Sequence, residues 1–278
     1  MAMSRSLSLY AIVYIIFLLI ELVSCKTIQY DRSKNKPEVI LATWNIGYFS
    51  NGVSSRSSIK ASEYHKKLKD YRTLIYDRIH PDIISINEYN RVFIGKDNEE
   101  NENVTSSVLF DQYEDNVVGP RKGFRKALFS KLKLKNKRLI YFNCHKSFEG
   151  DEDIKNTTSY YIESTVSING KKVKLVNVHL MFSRKIPRVV QQLQIEELIK
   201  SYDRDKRVVI FGDFNTGDYS QLKEAGYTLA NNGKMVTFPQ KKTPLDNIVA
   251  KGLKISEVRV IKTNLSDHYP IMCKIFTE

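Results

Sequence analysis

At 278 residues, with 42% hydrophobic and 27% charged side chains, the chain has the balance of a globular protein and the length for one large α/β domain or two small ones. No internal repeat of 20–50 residues is visible, which leaves no case for a solenoid or propeller. The net charge of +13 favours a polyanionic partner such as nucleic acid, anionic lipid or a phosphorylated substrate, with a lysine-rich solubilising surface as the plain alternative.

Arg5 precedes an apolar run from Leu9 to Ile20, broken by Glu21. The run falls short of the roughly 20 residues that span a bilayer and reads as the apolar middle of a signal peptide over residues 1–25. It ends in Leu22-Val23-Ser24-Cys25, which resembles a bacterial lipobox. That resemblance implies that Cys25 is lipidated and holds the protein in the bacterial cell envelope, with a freely secreted form as the alternative. Residues 26–37 are polar and read as a flexible tether, leaving 38–278 as a single domain. No CxxC or Cys/His spacing is present, which argues against structural zinc. Cys144 and Cys273 are free to form a disulfide in an oxidising compartment.

Val39–Trp44 is an apolar, β-prone run ending at the turn Asn45-Ile46-Gly47. Ser62 to His80 carries Leu68, Tyr71, Leu74, Ile75 and Ile79 at helical spacing and stops at Pro81. Asp82–Asn87 is a second buried strand, so the domain starts as a βαβ unit. Gly95 to Asn103 reads as an exposed loop. Lys126–Lys131 and Arg138–Asn143 are predicted strands, and Ser147 to Thr158 a polar loop. Ser159–Ile168 and Lys172–His179 flank Asn169-Gly170, a strong hairpin signal. Pro187 sits near the start of a helix bearing Val190, Leu193 and Leu198. Arg207–Phe211 is a strand ending at Gly212-Asp213, and Leu245–Ala250, Leu253–Ile261 and Tyr269–Phe276 follow as strands. Many hairpin-linked strands with two or three helices predict two packed sheets with helices outside.

Polar residues collect at the predicted strand ends: Asn45, Glu88, His179, Asp213 with Asn215, Asp246, and Asp267-His268. Strand ends are where sites form on a rigid scaffold. Taken singly, each of the Asn and Asp residues is a plausible turn or cap residue and each histidine a plausible structural one. Glu88 is harder to dismiss, because a carboxylate entering a buried layer needs a cation or donors. The hard oxygen ligands of Glu88 and Asp267 suit Mg²⁺ or Mn²⁺ rather than zinc.

The segments Thr43-Trp44-Asn45, Asn87-Glu88, Lys126–Lys131, Asn177-Val178-His179-Leu180, Gly212-Asp213-Phe214-Asn215, Leu245-Asp246 and Ser266-Asp267-His268-Tyr269-Pro270 resemble, in this order, the endonuclease/exonuclease/phosphatase superfamily with its deoxyribonuclease I-like fold. The resemblance runs over nearly all of Glu38 to Phe276, and GDFN and SDHYP are its specific parts. It implies a four-layer α/β/β/α sandwich of two mixed sheets and a Mg²⁺-dependent phosphoesterase. Glu88 and Asp267 would hold the metal, with Asn45 supporting the carboxylate. Asp213 would orient or deprotonate the attacking water, and Asn215 would hold water or phosphate. Asp246 would fix the tautomer of His268. His268 would face the scissile phosphate as base or electrostatic stabiliser, and His179 would contact the phosphate from the other side and protonate the leaving oxygen. Asn87 stands where the family has Gln, and Asn247 where it has His or Tyr. The expected substrate is nucleic acid and the expected state a monomer. The alternatives are an esterase for phospholipid head groups, inositol phosphates or sugar phosphates, and a surface binding protein that has lost catalysis.

Overall fold

The computed structural model describes residues 38–47, 61–89, 107–120, 124–144, 160–182 and 189–277. The signal peptide, Cys25, the tether, the loops Gly95–Asn103 and Ser147–Thr158, and Pro187 lie outside the described residues. Among the described residues no helix is long and apolar enough to cross a membrane.

The chain runs through β1 (Glu38–Asn45), α1 (Ala61–Thr73) continued by a π-helical turn (Leu74–Ile79), β2 (Ile83–Asn87), β3 (Asp115–Val118), β4 (Lys126–Ser130) and β5 (Lys135–Tyr141). There follow β6 (Tyr160–Ile168), β7 (Lys171–His179), α2 (Val189–Ser201), β8 (Val208–Asp213), α3 (Ser220–Glu224), β9 (Thr228–Leu229), β10 (Asp246–Lys251), β11 (Lys254–Val260) and β12 (Ile271–Phe276). One six-stranded sheet has the order β11-β12-β1-β2-β4-β3 and the other β5-β6-β7-β8-β10-β9. Both are mixed: β1–β2 and β7–β8 pair in parallel and the remaining neighbours antiparallel. The expected βαβ start is the β1–α1–β2 crossover, and Asn169 and Gly170 close the β6–β7 hairpin with φ of 48° and 74°, the left-handed pair a two-residue turn of this kind uses.

Three apolar layers separate four structural ones. Val39 and Leu41 of β1, Leu175 of β7, Phe211 of β8 and Ile275 of β12 fill the space between the sheets. Alternate residues of the first sheet, including Trp44, Ile84 and Ile86, pack under Leu68, Tyr71 and Ile75 of the first helix. Alternate residues of the second, including Val176, Val178 and Ile210, pack under Ile195 and Leu198 of α2. This is the expected α/β/β/α sandwich. Along α2 the buried face is Val190, Gln191, Gln194, Ile195 and Leu198, so Leu193 is not part of the core face; steps of four from Val190 reach Gln194 and Leu198 instead. Gln194 is tolerated there because its Oε1 accepts the Met181 amide at 2.9 Å. Cys273 lies in the layer between the sheets and Cys144 against the outer layer beside α2. Both are free thiols, so the disulfide left open by the sequence is not formed.

Candidate active site

Strand alternation carries the inter-sheet faces from apolar residues onto polar ones at a single end of the sandwich. In β1, Val39 and Leu41 face the other sheet and Asn45 continues that face. The same count brings Asn87 in β2, His179 in β7, Asp213 in β8 and Asp246 in β10 to the inter-sheet face. Register then aligns them. Asn45 pairs with Asn87, His179 with Asp213, and antiparallel β10 sets its first residue, Asp246, opposite Asp213. Gly212 makes the alignment of β7 and β8 possible: with φ of +148°, a Cβ there would lie 1.8 Å from the Val178 carbonyl oxygen.

Two loops complete the cluster. Glu88 follows β2 with φ of 54°, a left-handed conformation that costs a non-glycine residue of the order of 1 kcal/mol or more and recurs at functional sites. Ser266, Asp267 and His268 precede β12 and are tied to the end of β1. The Trp44 indole donates to His268 O at 3.0 Å, and Ser266 Oγ donates to Asn45 O at 2.7 Å.

Asp213 is the hub. Its Oδ2 accepts Asn45 Nδ2 at 3.0 Å and lies 3.6 Å from His179 Nε2 and 3.8 Å from His268 Nε2. Asn45 Nδ2 also donates to Glu88 Oε1 at 3.2 Å, while its Oδ1 accepts the Gly47 amide at 3.1 Å. Behind His268, Asp246 Oδ2 holds Nδ1 at 2.8 Å. Asn215 lies beside the cluster, and its amide donates to Leu180 O at 2.8 Å. Asp267 lies beside Gly47, its Oδ1 3.1 Å from where a Cβ would stand.

The two histidines differ in charge state, one held protonated and the other neutral. Burial disfavours the His268 cation, but Asp246 and Asp213 outweigh it and raise His268 to about 10. Burial lowers His179 to about 4 despite Asp213, with Lys126 and His268 pushing the same way as burial. Burial also raises Asp213, and Asp246 adds to it. Glu88 is raised to about 7, first by burial, against Asn45 and His268, with Asp213 and Asp267 reinforcing it. Carboxylates crowded in this way call for a cation.

A hard divalent ion fits this donor set. Buried Asp246 Oδ1 has no hydrogen-bond partner, and ligand atoms of Asp213, Asp246 and His268 lie within 4.8 Å of one another. A protonated His268 has no lone pair to give, which removes it from that group; Glu88, which has Asp267 among its charged neighbours, offers with it hard oxygen donors that suit a divalent ion.

Two residues at this end carried no functional reading in the sequence. Asn87, there only a departure from the family pattern, bridges the sheets: its Nδ2 donates to Val178 O at 2.9 Å and its Oδ1 accepts the Asp213 amide at 3.1 Å. Lys126, the first residue of β4, is fully buried with no carboxylate partner among the described residues. Its Nζ sits 4.0 Å from the Tyr160 ring centroid and 3.4 Å from Phe124 O. Burial lowers it from 10.5 to about 7. The fold therefore disfavours its ammonium form; the penalty is full below about pH 7 and fades as pH rises toward the unfolded value. Lys126→Met is expected to raise stability at pH 7 by a few kcal/mol, at roughly 1.4 kcal/mol per pKa unit, and to abolish the wild-type rise in stability between pH 7 and 10.5. Thermal melts across that range check it; a variant no more stable than wild type refutes it.

Many solved structures share the fold, three of which illustrate the likeness. An endonuclease/exonuclease/phosphatase from Beutenbergia cavernae aligns with TM-score 0.67 at 15% identity, covering 87% of this chain and 72% of that one. D. rerio TDP2 complexed with single strand DNA product aligns with TM-score 0.63 at 13% identity, covering 86% and 99%. The human Nocturnin catalytic domain with bound sulfate anion aligns with TM-score 0.60 at 16% identity, covering 88% and 96%. No curated protein matches by sequence. The sequence pattern of the Endonuclease/Exonuclease/phosphatase family matches residues 42–268. That span takes in every strand-end residue of the cluster, and the chain belongs to the endonuclease/exonuclease/phosphatase family, whose members are divalent-metal-dependent phosphoesterase hydrolases.

Proposed function

We propose that the protein is an exported nuclease that hydrolyses phosphodiester bonds of DNA or RNA with Mg²⁺, or Mn²⁺ in its place. One observation carries this reading: Asp213 is held between a charged and a neutral imidazole, with Asp246 backing the charged one. Glu88 and Asp267 would hold the metal, which supplies polarisation of the phosphoryl oxygen and charge neutralisation of the leaving oxygen. Asn45 orients Glu88 and Asp213 by donating its amide to both, its oxygen being occupied by Gly47. Asp213 orients the attacking water and accepts its proton, with Asn215 alongside. His268, already charged, stabilises the phosphate electrostatically. His179, neutral at rest, donates a hydrogen bond to the phosphate, and an approaching anion raises its affinity for the proton it would pass to the leaving oxygen. The nucleic-acid assignment draws on the net charge of +13 and on the single-stranded DNA product bound by the related fold of D. rerio TDP2. Export and lipid anchoring rest on the apolar run and Leu22-Val23-Ser24-Cys25.

The purified protein with Mg²⁺ is expected to release nitrophenol from bis-p-nitrophenyl phosphate and to degrade plasmid DNA or RNA, and to lose both activities in EDTA. Turnover of phospholipids or phosphosugars with nucleic acid left intact would replace the nuclease reading. No release from any ester would leave a binding protein.

A further inference from the structure

The outer edges of the two sheets part beside the active site and leave a cavity of about 950 Å³ between the end of β11 and the segment joining β9 to β10. Its lining includes Met235, Ile261 and Tyr269 together with four exposed cations, Arg78, Lys242, Arg259 and Lys262, and no acidic residue. None of the four side chains forms an ion pair among the described residues; the Arg78 guanidinium donates to Lys262 O at 3.5 Å. Four charges without an ion-pair partner among the described residues, set around apolar surface, suit an occupant with apolar faces and repeated negative charges.

The cavity shares a wall with the catalytic cluster. Tyr269 follows His268, and its amide donates to Thr237 O at 2.7 Å. Thr237 Oγ1 accepts the Asp246 amide at 2.9 Å, and the Phe238 ring packs on His268 at 4.7 Å. The segment that walls the cavity thus also backs the Asp246–His268 pair, which places the cavity next to the position a phosphate at His268 would take.

We propose that this cavity is a strand-binding subsite for single-stranded nucleic acid, which rests on the nuclease reading above. Bases pack on Tyr269, Met235 and Ile261 while Arg78, Lys242, Arg259 and Lys262 pair with the phosphates flanking the scissile one. The volume lies at the upper end of the roughly 300–1,000 Å³ typical of ligand cavities. Apolar surface is useful only to unpaired bases, because a duplex keeps its base faces stacked; aromatic and apolar platforms beside cations are the general solution for single strands.

The test uses full-length protein and the triple variant Lys242→Gln/Arg259→Gln/Lys262→Gln, whose positions are exposed and outside the catalytic cluster. The variant is expected to hydrolyse bis-p-nitrophenyl phosphate with wild-type kcat and KM. Its KM for a single-stranded dodecanucleotide should rise by about tenfold or more, and its salt dependence should flatten by up to about two units of log–log slope, near 0.7 per lost phosphate contact. Wild-type enzyme should prefer the single strand to the same sequence as duplex, and the variant should lose most of that preference. Unchanged oligonucleotide KM and salt slope, with normal turnover of the small ester, would overturn the subsite and leave the phosphoesterase reading intact. Variant loss of binding to phosphatidylglycerol vesicles with unchanged oligonucleotide kinetics would overturn it in favour of a lipid surface. Wild-type enzyme that cleaves the small ester but no nucleic acid would overturn both the subsite and the nuclease reading.

Discussion

Replacing His268 by Gln should lower kcat on a phosphodiester by roughly 10²–10⁴, the usual worth of a positioned acid, base or charge at the reacting group, with a much smaller change in KM. The size follows from the pairing. His268 is buried, and a buried imidazole ordinarily sheds its proton. Here Asp246 at 2.8 Å and Asp213 at 3.8 Å from its two ring nitrogens hold the proton on, up to about 10. Two carboxylates are thus used to keep one positive charge where a phosphate would sit. Glutamine fills similar space and keeps a donor but carries no charge. Asp246→Asn is the complementary change. It keeps the hydrogen-bonding position and removes the largest contribution to the raised affinity, so the alkaline limb of the rate profile should move from near pH 10 to lower pH. The same charge pairing stabilises the fold. His268 has a folded value above its unfolded one, so its stabilisation is complete below about pH 6.5 and is lost as pH rises through about 10. Steady-state kinetics and melting curves against pH check both. A Gln variant with wild-type turnover, or an Asn variant with an unmoved limb, would assign His268 to structure alone.

The site was legible in the sequence for a physical reason. Asn45, His179 and Asp213 each close an apolar run, and Asp246 opens one; strand alternation and parallel register convert that one-dimensional position into proximity. The β6–β7 hairpin was legible because left-handed φ is cheapest for Asn and Gly. Lys126 was not, because a lysine at the head of a strand ordinarily reads as exposed. Its burial is decided by Tyr160, in the other sheet and thirty-four residues away. Asn87 was read as a substitution within one strand, although its work lies in bonds to Val178 and Asp213 across the layer. The core face of α2 was not legible at Gln191 and Gln194, because glutamines are polar in any scale, and only tertiary partners such as the Met181 amide reveal them as core. The short edge strands β3 and β9 carry too few residues for any periodicity. The cavity between the sheet edges has no local signature, since its cations come from three separate stretches of chain.

Glu88→Gln should weaken Mg²⁺ binding and lower turnover by several powers of ten, since a metal-held charge supplies several kcal/mol at roughly 1.4 kcal/mol per tenfold. Glu88 enters a layer that already holds Asp213 and Asp267 as its charged neighbours, and burial raises it to about 7. At the proposed metal site it would be shared, near neutrality, between a proton and the cation. Mg²⁺ bound there would have to displace the proton, so affinity should rise about tenfold per pH unit below 7 and level off above it. Glutamine has no proton to displace, so the variant's weaker binding should be flat with pH over the same interval. Trp44, the one tryptophan in the chain, is buried beside Asn45 and hydrogen-bonded to His268 O at 3.0 Å. Its fluorescence gives a readout of Mg²⁺ titration that does not depend on catalysis. Equal Mg²⁺ affinity at pH 5.5 and pH 8 in the wild type, or a Gln variant that binds as tightly, would move the metal away from Glu88. The carboxylate cluster around Asp213 would then need another cation to account for its crowding.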